Sequence, residues 1–195
     1  MRISLLLLVA ALVMGISACA GMAKITEGVG DIAGVEMPTT TDVELTMEVV
    51  CQSCSAASQA TLNPFTEPVV FTKVGIAEVD GFVESANNLY GTVMVIDKMV
   101  GLGQQMAADP NLQVEGFTGR DEVLSLAKTM LGTVQTDGPN LVSQGAAAGT
   151  AAAGLATDAQ KAMIAPTAVE QVKIAGERLN EAMGKVTEIA AKLAE

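Results

Sequence analysis

The sequence predicts an all-α protein, a helical bundle of four to five helices on a flexible N-terminal tether. Three observations carry this expectation. Apolar residues recur at three- and four-residue steps in the runs that follow Thr72, which is the spacing of one helix face. Aromatic residues make up only 3% of the chain and Trp is absent, so any core is aliphatic, built from Val, Leu, Ile, Met and Ala. The periodic runs are separated by turn signals at Asn63-Pro64, Glu67-Pro68, Asp109-Pro110-Asn111 and Thr136-Asp137-Gly138-Pro139.

The chain opens with a secretion signal, residues 1–18. Met1-Arg2 is a minimal positive n-region, and Ile3 to Met14 is an almost unbroken apolar run. That run is too short for a bilayer core of ~30 Å, which takes roughly 20 apolar residues. It ends in Gly15-Ile16-Ser17-Ala18-Cys19. The tetrapeptide Ile16-Ser17-Ala18-Cys19 resembles the lipobox of bacterial lipoproteins: an aliphatic residue, two small residues and a cysteine. Leu is the family's commonest first residue, and Ile16 departs from it within the tolerated set. The spacing has a chemical reason, since small residues let a peptidase reach the backbone and the thiol takes a diacylglycerol as a thioether.

The resemblance implies cleavage before Cys19, palmitate-type acylation of the new amino group, and attachment to the membrane through acyl chains on Cys19. Each buried methylene contributes about 0.8 kcal/mol, so several chains anchor firmly where one binds only marginally. In the family's sorting logic an Asp after the lipidated cysteine favours retention at the inner membrane. Ala20-Gly21 follow here, which implies the outer membrane. The resemblance covers this end of the chain alone. The plainer alternative is an ordinary cleavable signal followed by an incidental cysteine.

Residues 19–41 form the lipidated tether. Gly21, Gly28, Gly30 and Gly34 interrupt any helix, and Pro38 closes the run before Thr39-Thr40-Thr41 lead out of it. A coil of about twenty residues would hold the body roughly 25 Å from its lipid. The rest, 42–195, is the helical domain, of ordinary size for one domain.

Within that domain, Asp42 to Ala60 reads two ways. Val43, Leu45, Met47 and Val49 alternate with polar residues as in a strand, while Val43, Met47, Val50, Cys54 and Ala57 share a helix face. Thr41-x-x-Glu44 matches a capping box and favours the helix. From Thr72 to Ala108, Val79, Phe82, Ala86, Leu89, Val93, Ile96 and Val100 line one helical stripe. Five glycines in this run each cost about 1 kcal/mol relative to Ala, and mark either close helix approach or a break. The next helix runs from about Arg120 to Val134, with Val123, Leu126, Ala127, Met130, Leu131 and Val134 inward and a capping signal at Thr118-x-x-Asp121. A turn at Thr136–Pro139 should end it.

The stretch Gly145–Gly154 is low in complexity, with small residues four apart. It suits a small-residue helix packed in the bundle, a linker, or a close helix–helix contact. The C-terminal helix is the clearest of all. Thr167-x-x-Glu170 after Pro166 reads as its capping box, and Val172, Leu179, Val186 and Leu193 repeat at sevens with Ala175, Ala182 and Ile189 between. Glu181 with Lys185, and Glu188 with Lys192, are spaced as stabilising pairs along it.

Composition narrows the chemistry. With 22 acids against 11 bases the net charge is −11, and loss of Arg2 with the signal makes the body more acidic still. Such a body should not bind nucleic acid or anionic headgroups nonspecifically. Histidine is absent, which removes the commonest general base and transition-metal ligand. The mean hydropathy of +0.41 reflects many small apolar residues. The longest uncharged stretch, Gly138 to Thr157, lacks the Leu-rich character that membrane insertion requires.

Cys51-Gln52-Ser53-Cys54 is the one reactive constellation. Its thiols suit a structural disulfide or buried pair, or a redox pair whose first thiol is activated at a helix N-terminus. No Trp precedes it and no βαβ pattern follows. No metal site is expected, since two thiolates need further ligands and Cys19 is taken by lipid. No catalytic residue, cofactor motif, nucleophile elbow or phosphate loop is found, and the protein partner is not identified. The expected role is therefore a non-catalytic structural or accessory lipoprotein of the bacterial envelope. The alternatives are a tethered thiol-disulfide oxidoreductase using Cys51 and Cys54, and a lipid-handling helical protein with a continuous apolar cavity.

Overall fold

Among the described residues, three long helices and a short antiparallel ladder make up the architecture. The computed structural model describes residues 39–41, 61–65, 71–114 and 116–194. In chain order the elements are β1 (Thr39–Thr41), β2 (Phe71–Lys73), α1 (Ala77–Ala108), α2 (Arg120–Gly154), a 3-10 turn at Leu155–Thr157, and α3 (Ala165–Lys192). Among the described residues the fold is all-α apart from this ladder, in which Thr39 pairs with Lys73 and Thr41 with Phe71. The Thr39–Thr41 run, read from sequence as the end of the tether, is thus paired backbone, and the expected helix from Asp42 lies outside the described residues.

α1 begins five residues later than the helical run expected from Thr72, because Thr72 belongs to β2 and Gly75 adopts a left-handed φ of 74°. A Cβ is disfavoured there, which is why glycine makes the corner. The Asp80 carboxylate closes this corner by accepting the backbone N–H groups of Val74 at 2.8 Å and Gly75 at 2.9 Å. All seven residues of the expected stripe, Val79 to Val100, are buried. Burial goes further than the stripe: between Ala86 and Val100 only Lys98 is exposed. α1 is the central helix, about 48 Å long at 1.5 Å per residue.

The helices run up, down and up. Phe82 meets Gly145, and Gly103 meets Leu124, so α1 and α2 are antiparallel; Asn87 meets Arg178, and Asp97 meets Lys192, so α1 and α3 are parallel. The described residues 61–65 also reach α1. Leu62 is fully buried, the Asn63 carbonyl accepts Lys98 Nζ at 2.8 Å, and the Phe65 and Tyr90 rings lie 5.9 Å apart.

The turn expected at Thr136–Pro139 does not form. α2 continues through it, with Pro139 inside the helix. The three-to-four spacing explains this: Val134, Gly138, Leu141, Ala148, Ala152 and Leu155 extend one buried stripe across the proline. Pro139 sits on the exposed side, where solvent can reach the carbonyl left without its N–H partner. Pro disfavours a helix interior by about 3 kcal/mol. Each fully buried aliphatic side chain contributes roughly 1.5–3 kcal/mol, so a stripe held against two neighbours outweighs it. The Gly145–Gly154 stretch is accordingly a small-residue helix packed in the bundle.

Two glycines on this stripe allow close approach. A Cβ on Gly138 would lie 2.6 Å from Met183 Sδ, and one on Gly145 would lie 3.0 Å from the Phe82 ring. α3 carries the heptad seam as the spacing predicts. Ala175, Leu179, Ala182, Val186 and Ile189 are buried, while Val172 and Leu193 pack partly buried at its ends. Its expected capping box is not used. The helix starts at Ala165, with Ile164 as N-cap and no side-chain cap hydrogen bond. Pro166 in the first turn, where its missing N–H is no loss, sets the start ahead of Thr167. At α2 the capping signal is likewise displaced: Glu122, not Asp121, accepts the Thr118 backbone N–H at 2.6 Å and hydroxyl at 2.8 Å.

The glycines make a testable contrast. Gly138→Val should destabilise the protein by about 1–3 kcal/mol through overpacking against Met183. Gly149→Ala, where nothing lies within 4 Å of the added carbon, should stabilise it by about 0.4–1 kcal/mol. Urea denaturation followed by helical circular dichroism measures both; equal effects would show that close approach does not set these positions.

Candidate functional site

The residues that the sequence singles out for chemistry, Cys19, Cys51 and Cys54, lie outside the described residues, as does the lipobox. The polar groups within the described helices form two arrangements that the apolar pattern does not announce. One is the α1–α3 seam. The other is a groove at the end of the bundle where α1 and α3 finish and α2 begins.

Along the seam, Asn87 is a buried polar residue with 2% of its surface exposed. Its Oδ1 accepts a hydrogen bond from Arg178 Nη1 at 2.6 Å, a short contact typical of a charged donor. One turn on, Tyr90 donates its hydroxyl to Glu181 Oε1 at 3.5 Å. Burial of the phenol, followed by the nearby Glu181 charge, raises the Tyr90 pKa above its ordinary value. Among the described residues no buried side-chain nitrogen or oxygen lacks a hydrogen-bond partner.

Asp97 holds the far end of the seam. It accepts Lys192 Nζ at 3.0 Å and faces Lys185 Nζ at 3.5 Å. The expected Glu181–Lys185 and Glu188–Lys192 pairs are therefore not the ones formed: both ammonium groups turn to α1. A carboxylate set between two helices, partly shielded from water, attracts them more strongly than an exposed neighbour one turn away. Partial burial by itself pushes the Asp97 carboxyl up. The Lys192 hydrogen bond and the charges of Lys192 and Lys185 outweigh this and hold it below its ordinary value.

The groove has a volume of about 390 Å³. Val100, Leu124 and Leu193 supply apolar surface, Gln104 and Ser125 supply neutral polar groups, and Arg120, Asp121, Lys128 and Lys192 supply charge. Arg120 Nε donates to the Gly103 carbonyl at 3.2 Å, which fixes the guanidinium at the first turn of α2. Gly103 is placed for close packing on Leu124, whose side chain occupies the space a Cβ would need. The lining is thus mixed, unlike the continuous apolar cavity that an acyl-chain carrier calls for.

Sequence reasoning passed over Asn87, Tyr90, Asp97 and Arg178 because each lies beside an apolar stripe and looks like an ordinary polar neighbour. Their offset in the two helices, Asn87 with Arg178 and Asp97 with Lys192, becomes meaningful only once α1 and α3 are known to be parallel. Among the described residues no group of three or more His, Cys, Asp or Glu is placed to hold a metal ion. No described helix is long and apolar enough to cross a membrane.

The seam has a definite pH dependence. Because the Asp97 carboxyl titrates lower in the folded protein than in the unfolded chain, its contribution is complete above the unfolded value of about 3.9 and is lost as pH falls through the lowered value. Asp97→Asn should destabilise the protein at neutral pH by about 0.5–1 kcal/mol. The gap to the parent should close in acid. Denaturation at a series of pH values tests this; a gap that persists unchanged in strong acid would assign the effect to packing. Compared with known protein families, curated proteins and solved structures, the chain matches none.

Proposed function

We propose that the protein is a lipoprotein of the bacterial envelope, anchored in the outer membrane through acyl chains on Cys19, with a non-catalytic structural or accessory role. The observation that carries this reading is the Ile16-Ser17-Ala18-Cys19 tetrapeptide at the end of an apolar signal run. Its mechanism is localisation: the anchor confines an acidic helical body beside one membrane leaflet, where its surfaces meet a partner. The helices support this reading by what their polar groups do. Asn87, Arg178, Asp97, Lys185 and Lys192 join α1 to α3, and Asp80 closes the corner before α1.

The same proposal takes the bundle as one of four to five helices, of which three long ones are described. Thr61 and Leu62 have helical backbone, and Leu62 is fully buried. Gly91, Val95 and Met99 form a face of α1 set apart from those that meet α2 and α3, and all three are buried.

Mass spectrometry of the chain produced in a bacterium tests the anchor. The expected mass is that of Cys19–Glu195 with added acyl groups, and Cys19→Ser should move the protein out of the outer-membrane fraction. An unmodified Cys19 would overturn the reading. Cys51→Ser and Cys54→Ser should leave disulfide exchange in the envelope unchanged; a loss of exchange would favour a tethered oxidoreductase instead.

A further inference from the structure

The groove at the end of the bundle plays no part in the proposed anchoring, and its composition runs against that of the chain. We propose that it binds a small amphipathic anion, an oxyanion head of carboxylate or phosphate type on a short apolar body.

Three features carry this. The first is charge. In a chain with 22 acids and 11 bases, Arg120, Lys128 and Lys192 converge on one concavity that contains a single acid, Asp121. Lys192 is held by Asp97, whereas Arg120 and Lys128 make no ion pair within 4.0 Å among the described residues. Arg120 uses Nε on the Gly103 carbonyl, so its other nitrogens keep their donors for a ligand. A guanidinium pre-positioned in this way loses little freedom when it grips an oxyanion.

The second feature is the apolar share of the lining. Val100, Leu124 and Leu193 line the same concavity as the cations. A flat cationic patch would suit a polyanion, but a concavity with both linings suits a molecule that has both kinds of surface. The third is size. About 390 Å³ falls in the range of ~300–1,000 Å³ typical of small-molecule sites.

Isothermal titration tests the proposal on the full chain, purified as the cell processes it and held in discs of zwitterionic lipid, with empty discs subtracted. The probes are hexyl phosphate and hexanoate, with inorganic phosphate and hexanol as comparisons. Saturable one-to-one binding of either amphiphile is expected, and the tighter of the two identifies a phosphate ester or a short-chain carboxylate as the natural chemistry. Inorganic phosphate should bind about tenfold more weakly or worse, hexanol should give no saturable heat, and added salt should weaken the amphiphile.

The double variant Arg120→Gln/Lys128→Gln should weaken binding by about tenfold or more with an unchanged melting temperature. Ser125→Trp should block the groove sterically, and serves alone if the double variant melts early. Lys161→Gln/Lys173→Gln, cations away from the groove, should bind as the parent does. Absent heat for both amphiphiles, hexanol binding as tightly as hexyl phosphate, inorganic phosphate matching it, or undiminished binding by both groove variants would each overturn the proposal.

Discussion

α1 is withdrawn from water on nearly every side between Ala86 and Val100, and the other elements take their places from the surfaces it presents. One face carries Phe82 toward Gly145 of α2, where the absence of a side chain lets the ring approach the helix backbone. A second face carries Asn87, Tyr90 and Asp97 toward α3. A third carries Lys98 toward the Asn63 carbonyl, beside the buried Leu62. A helix so enclosed cannot shift without exposing apolar area on some side, at roughly 25 cal/mol for each Å².

Aliphatic burial supplies the drive but little directional information, since Val, Ala and Leu surfaces slide past one another at small cost. The polar contacts supply the register. Asn87 meets Arg178, and Asp97, ten residues on, meets both Lys185 and Lys192, seven and fourteen residues beyond Arg178, so the lysines bracket the matching step on α3 and the joins together favour one axial alignment. Between α2 and α3 the same task falls to shape, because Gly138 receives the Met183 side chain. A chain poor in aromatic residues thereby obtains a defined packing from a few polar pairs and a few missing side chains.

Charge separates the functional possibilities. With 22 acids and 11 bases the chain has little nonspecific attraction to offer anionic headgroups or nucleic acid, which fits the proposed acyl anchor. Against that background the cations of the groove stand out, since Arg120 and Lys128 are not consumed by the joins that hold the helices together. The proposed anchor and the proposed ligand groove are independent of each other: the first rests on the lipobox-like tetrapeptide, and the second on the cations that line the concavity.

The heptad of α3 and the stripe of α1 were legible in the sequence because a 3.6-residue period leaves its mark wherever one face is buried. Residues Val79 to Val100 and Leu179 to Val186 follow it closely. Helix ends were legible only where local chemistry decided them, as at Asp109-Pro110. Pro139 shows the opposite case: four residues with strong turn character lie inside α2 because the stripe on both sides of them is buried against two neighbours. Pairing of Lys185 and Lys192 was also decided by tertiary structure, since a carboxylate on a parallel helix lay nearer than those on their own. The groove could not be read at all, because Arg120 and Lys128 of α2 meet Val100 and Gln104 of α1 and Lys192 of α3 only when three distant segments pack. By itself the sequence determined what is written in contiguous residues: the apolar periods, the acidic balance and the lipobox-like end. The tertiary structure alone decided which periods run on, which charges meet and where a concavity opens, because those depend on surfaces that exist only once distant segments are packed.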